Sequence, residues 1–251
     1  MGQLVAPGQR LVEEQLADGR RVYSSSIPLS GDHPDILARL ARWVEERPDK
    51  VLLSEPRDGS RRSISYGEAH SRARAMRGLL AGRHGLRKGD CVATLAPAGI
   101  DALVLKLACL SGGFVHAALP PFAFRDGVES EATRSFLENA RPRLIVAPTR
   151  HPAITGMNAV SLDDLARDST NIAPETDEPV SPDNWAAIFF TSGSTGAPKG
   201  VPITRGMISS NQAAIAAMWP FVVETPPVLV DWLPWHHVFG GLDNIFKVIW
   251  N

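Results

Sequence analysis

Apolar positions recur along this chain with two periods, and together they predict alternating helices and strands. Leu37, Leu40 and Val44 share one helical face. Asp32 or His33 can cap that helix, Pro34 suits its first turn, and Pro48 stops it. Residues 51–54 read as a short strand, and 56–62 (PRDGSRR) as turn chemistry. Ser65-Tyr66-Gly67-Glu68 is a capping box that starts a helix carrying Ala69, Ala73, Met76 and Leu80 on one face. Residues 91–95 (CVATL) form a continuous apolar run, the pattern of a strand buried on both faces. A helix with Leu103, Leu107 and Leu110 on one stripe follows and ends at Gly112-Gly113. Further strands are predicted over 114–119, 143–147 and 185–190, with a helix over 131–140.

This alternation implies an α/β fold with helices around a mostly parallel sheet. Residues 1–30 read as an amino-terminal extension, and the Pro- and acid-rich 171–183 (NIAPETDEPVSPD) as a break between subdomains. Residues 239–251 (FGGLDNIFKVIWN) start a helix with Leu242, Ile245 and Ile249 on one face and show no stop signal. The expectation is therefore an incomplete domain cut at its carboxyl end. Those three residues and a strand over 228–233 would then lack packing partners, leaving an aggregation-prone surface.

Composition narrows the function classes. The 251 residues are 44% hydrophobic and 21% charged, with a formal net charge of −1, which gives no reason to expect nucleic-acid or anionic-membrane partners. Arginines gathered in 71–88 (SRARAMRGLLAGRHGLRK) suit a solvated helix face. The two cysteines, Cys91 and Cys109, lie outside any zinc-like spacing and fit buried thiols in a reducing cytoplasm. The first fifteen residues lack the apolar core of a secretory signal. The most apolar stretch, 102–118, carries Lys106 and His116, so it reads as helix and strand rather than a membrane span.

The chemistry is concentrated at 189–201 (FFTSGSTGAPKGV). A buried strand runs into Thr191, Ser192, Gly193, Ser194, Thr195 and Gly196, with Lys199 three residues on. Glycines let backbone amides approach an anion, hydroxyls add donors, and Lys199 adds a mobile charge. Open α/β sheets bind ligands at the carboxyl ends of their strands, where this loop begins. Lys199 precedes Gly200 and a strand-like VPIT, so this is not a Walker loop, and no GxSxG elbow exists. A Ser/Gly-rich hairpin turn is the competing structural reading. Downstream, 231–241 reads DWLPWHHVFGG. Adjacent His236 and His237 make a poor zinc pair, and Trp232 and Trp235 read as core aromatics.

TSGSTGAPKG closely resembles the phosphate loop of the AMP-forming adenylating superfamily, and DWLPWHHVFGG resembles its second core motif. Residues 34–251 share the resemblance, and WLPWHH is most similar to feruloyl-CoA synthetases. The resemblance implies ATP-dependent activation of a small carboxylic acid, such as ferulate, to an acyl-adenylate. Coenzyme A would then displace AMP. It implies that 191–196 and Lys199 bind the phosphates, that Thr191 meets Mg2+, and that His237 stands near the acid as a catalytic group with Lys199. The superfamily's later elements, namely its Tyr-Gly-x-Thr-Glu segment, ribose-binding Asp and carboxy-terminal lysine, are expected beyond residue 251. Alternatives are a nucleotide- or partner-binding module without turnover, adenylation of an amino or fatty acid, and an unrelated phosphate-binding α/β protein.

Overall fold

The computed structural model describes residues 11–29, 31, 33–124, 130–148, 157–173, 179–192 and 198–251. An exposed hairpin, β1 (Leu11–Gln15) and β2 (Arg21–Ser25), opens the described chain. Helix α1 (Ile36–Glu46) follows, then a second hairpin of β3 (Val51–Arg57) and β4 (Ser60–Ser65). After α2 (Tyr66–Gly82) come β5 (Cys91–Thr94), α3 (Ile100–Gly112) and β6 (Val115–Ala118). Next are α4 (Glu131–Ala140), β7 (Leu144–Ala147), β8 (Ala159–Ser161), α5 (Leu162–Ser169), β9 (Trp185–Ser192) and β10 (Pro198–Thr204). Helices α6 (Arg205–Met218), α7 (Phe221–Glu224) and α8 (Ile245–Trp250) complete the chain, with a π-helical turn at Phe239–Asn244 leading into α8.

Among the described residues the central sheet has six strands in the order β10-β9-β6-β5-β7-β8. Five run parallel, and β10 returns antiparallel along β9. Every residue of β5, β6 and β7 is buried, because helices cover both faces. The two-residue alternation of a strand divides the core. Val92, Leu144, Val146, Ala187 and Phe189 pack with α1, α2, α3, α6 and α8. Cys91, Ala93, Ile145 and Ile188 face Phe124 and α4's Phe136 on the other side.

Local chemistry starts and ends the helices. Ser65 Oγ accepts from Glu68 N at 3.2 Å while Glu68 Oε2 accepts from Ser65 N at 2.9 Å, so the capping box is complete. Gly113 takes the left-handed conformation, φ 69°, that closes α3. Asp35, rather than Asp32 or His33, caps α1; its Oδ1 accepts from Leu37 N at 2.8 Å. Its other oxygen accepts from Arg205 Nε at 2.8 Å, an ion pair to α6 that selects it over its neighbours. The expected turn over 56–62 is tighter: Asp58 and Gly59, both at positive φ, close the β3–β4 hairpin, and the flanking residues pair.

The carboxyl end differs most from expectation. Leu242, Ile245 and Ile249 are buried in the main core, with Ile249 only 1% exposed. Helix α1 and the start of α2 hold α8: Trp43 Nε1 donates to Ile249 O at 2.9 Å, and Tyr66 Oη to Val248 O at 3.3 Å. The Arg39 guanidinium lies 4.7 Å over Trp250. The apolar surface lies instead in 228–232, which forms no strand: Val228 is 95%, Val230 96% and Trp232 83% exposed. Trp232 is thus not a core aromatic, whereas Trp235 is buried.

Replacing Ser65 by Ala removes one half of the capping box. It is expected to cost about 1 kcal/mol of stability, measured as a lower urea midpoint at unchanged slope.

Candidate functional site

The site is built from the last parallel strand and its antiparallel return. β9 runs from Trp185 through buried Ala186, Ala187, Ile188 and Phe189 to exposed Thr191. β10 comes back with Pro198 opposite Ser192, Lys199 opposite Thr191 and Gly200 opposite Phe190. Directly opposed residues of an antiparallel pair point to the same face, so exposed Lys199 and Thr191 are side-chain neighbours. By alternation that face is also Phe189's. Gly193, Ser194, Thr195 and Gly196 lie outside the described residues, and of Ser192 only its backbone pairing is described.

Helix α4 braces the start of β10. Ser135 Oγ donates to Pro198 O at 2.9 Å, Asn139 Oδ1 accepts from Gly200 N at 3.3 Å, and Phe136 meets Phe190 edge-on at 4.9 Å. A Cβ on Gly200 would lie 3.1 Å from Ile188 Cγ2 and 3.3 Å from Asn139 Cβ, so glycine allows this close approach.

The histidine motif folds as a turn organised by Asp231. Its carboxylate accepts from Leu233 N at 3.2 Å, Trp235 Nε1 at 3.0 Å and Asn244 Nδ2 at 2.9 Å. His237 N donates to Pro234 O at 3.1 Å, and Gly241 N donates to His237 O at 2.8 Å. His237 is exposed; His236 is partly buried, and burial with the neighbouring ring lowers its pKa. The two glycines that follow permit tight docking. A Cβ on Gly241 would overlap the Trp235 carbonyl oxygen and stand 3.2 Å from the Phe189 ring.

Phe189 therefore joins the two motifs. The histidine turn packs on the β9 residue that lies two positions before Thr191 on the same face. Of the predicted site residues, Thr191 and Lys199 are paired at this strand end, and the turn bearing His237 reaches β9 through Gly241 at Phe189.

Sequence reasoning assigned no role to Asp231, Ser135 or Asn139, and noted Lys106 and His116 only as polar interruptions of an apolar run. Lys106 is fully buried; its Nζ donates to Gly241 O at 2.9 Å and lies 5.8 Å over the Phe189 ring. His116 and Lys106 line one cavity of about 10 Å³, and the His116 Nδ1 has no partner among the described residues. Burial holds His116 well below the usual imidazole range and pushes Lys106 down to about 8. A charged residue inside an otherwise apolar helix was the available signal, without a direction.

The described residues suit a polyphosphate, with an ammonium and a hydroxyl presented side by side at a strand's carboxyl end. Among the described residues no group of three His, Cys, Asp or Glu could hold a metal.

Such a strand end, in a mostly parallel sheet, is where open α/β folds bind their ligands. The chain belongs to the AMP-binding enzyme family, whose pattern matches residues 40–249. It is 34% identical over 207 residues to the isonitrile lipopeptide synthase of Streptomyces coeruleorubidus, covering 81% of this chain and 13% of that protein. It is 29% identical over 206 residues to the 4-hydroxyphenylalkanoate adenylyltransferase of Mycobacterium marinum, covering 75% and 32%. Its fold matches the fatty acyl-adenylate ligase of L. pneumophila, solved with acyl adenylate and pyrophosphate. That match has a TM-score of 0.70 and 20% identity over 86% of this chain and 38% of that one. The chain thus spans a third or less of these curated relatives.

The buried titratable groups predict a stability profile. Lys106, lowered from 10.5 to about 8, loses its proton in the folded chain first, so stability grows as pH rises above 8. Burial raises the Cys91 thiol from 9.0 to about 12 and raises Cys109 also, so stability falls once pH passes 9. Urea unfolding at stepped pH is expected to show a maximum near about pH 9. Lys106→Met should remove the rise and keep the fall.

Proposed function

We propose that this chain forms the phosphate-handling and acid-facing part of an enzyme that activates a carboxylic acid with ATP. The observation that carries this is the joint placement of Thr191, Lys199 and the His237 turn around Phe189. In the reaction, a carboxylate oxygen attacks the α-phosphorus of ATP as the bond to pyrophosphate breaks, giving an acyl-adenylate. Negative charge grows on the leaving pyrophosphate. The Lys199 ammonium beside Thr191 would hold that charge without solvent reorganisation, and the resemblance adds the hydroxyls and amides of 191–196 as further donors. Thr191 would hold a magnesium ion, which would supply further stabilisation of that charge. His237 stands at the acid, and a thiol such as coenzyme A displaces AMP in the second half-reaction.

Hydroxycinnamic acids are the finer substrate proposal. WLPWHH motivates it, and a relative whose name carries an aromatic acid supports that class. A second reading, a nucleotide- or partner-binding module without turnover, is favoured by the exposed apolar Val228, Val230 and Trp232. In the main reading residues 31–251 are an incomplete adenylating domain with a subdomain break near 171–183.

Two measurements test the main reading. Pyrophosphate binding to the purified chain, followed by calorimetry, is expected to weaken in Lys199→Ala by about 1.5–3 kcal/mol, roughly ten- to a hundredfold. Unchanged affinity would return the loop to a structural turn. In the enzyme that contains this chain, adding a hydroxycinnamic acid with ATP and magnesium is expected to release AMP and pyrophosphate. Acid-dependent ADP and phosphate would contradict adenylation, and nucleotide binding without any AMP would favour the module.

A further inference from the structure

We propose that Lys106 is a positioning residue for the histidine turn: its ammonium group reaches from α3 to hold the Gly241 carbonyl and thereby sets where His237 stands beside β9. Nothing in the adenylation reading requires a cation at this point. Its importance for chemistry rests on that reading only through His237.

The geometry forms a short chain of contacts. Lys106 Nζ takes the Gly241 oxygen, the Gly241 amide takes the His237 oxygen, and the His237 amide takes the Pro234 oxygen. Gly241 is packed closely where Lys106 meets it: the Trp235 carbonyl and the Phe189 ring leave no room for a Cβ. The anchored residue lies inside the π-helical turn Phe239–Asn244. Such turns are rare and concentrate at functional sites, since the extra residue per turn re-aims what precedes it.

Stability does not account for the residue. α3 is buried along nearly its whole length, and Lys106 is its one buried charge. Among the described residues, the titratable groups facing the amine are His116 from β6, held neutral by burial, and the Cys109 thiol on α3 itself. Neither is a carboxylate. An ammonium with no counter-ion among the described residues costs free energy that an apolar side chain of equal length would not. What it supplies in return is one directional bond to one carbonyl and a contact 5.8 Å over the Phe189 ring, and both tie α3 to the place where the histidine turn meets β9.

The test compares the purified chain with Lys106→Met and Lys106→Gln by hydrogen-exchange mass spectrometry at neutral pH. Methionine keeps the length and removes the donor; glutamine keeps an N–H donor without charge. In Lys106→Met, amides of 237–244 are expected to exchange about tenfold faster, as for one lost hydrogen bond to a charged group. Those of β5 and β6 should be unchanged, with an equal or higher melting temperature. Lys106→Gln should restore most of the lost protection. Protection of 237–244 unaffected by methionine overturns the proposal. So does a loss spread evenly over the whole core with a lower melting temperature, which is the behaviour of an ordinary packing residue. Failure of the adenylation reading would appear separately, as absent acid-dependent AMP formation by the wild-type enzyme with the exchange pattern intact.

Discussion

The contact between Gly241 and Phe189 is the constraint on which the candidate site depends. It unites a strand that ends in hydroxyls with a turn that carries a histidine, although the two stretches are far apart in the chain. Only a glycine fits, because the Trp235 carbonyl already occupies the space a Cβ would need. Neighbouring bonds preserve the arrangement. Asp231 gathers three donors of the turn, Lys106 holds its far side, and α4 fixes the first residues of β10 through Ser135 and Asn139.

The rest of the fold makes that contact rigid. β9 adds to a sheet whose inner strands are buried throughout, so its carboxyl end projects from a fixed frame. The antiparallel return of β10 places Lys199 across from Thr191, and buried Phe189 with the Phe136–Phe190 edge contact holds β9 in that register. Helix α8 then locks the turn from behind through Trp43 and Tyr66. The division of labour is clear. Apolar burial supplies stability, and a few polar groups decide where the reactive side chains stand.

Much of this was legible in the sequence for physical reasons. A strand covered on both faces has to be apolar throughout, which marked β5, β7 and β9. The capping box at Ser65 and Glu68 is local chemistry and reads directly. The β9–β10 hydroxyl and lysine pattern was visible as composition and spacing. What escaped depended on distant partners. Asp35 caps α1 because Arg205 holds it, and Ile249 is buried because α1 covers it. The exposure of Trp232, at 83%, was opposite to its hydrophobicity. Lys106 was visible as an anomaly, but its partner is a backbone carbonyl 135 positions away, and no side-chain pattern announces that.

The central claim is that one face at the end of β9 receives a phosphate chain while the histidine turn stands beside it. Amide chemical shifts of the isotope-labelled chain, titrated with pyrophosphate, test it most directly. The account predicts that Thr191, Ser192, Lys199 and Gly200 shift together along one saturating curve, with smaller coupled shifts at His237 and Gly241. Saturable shifts located elsewhere, or none at Thr191 and Lys199, would contradict it.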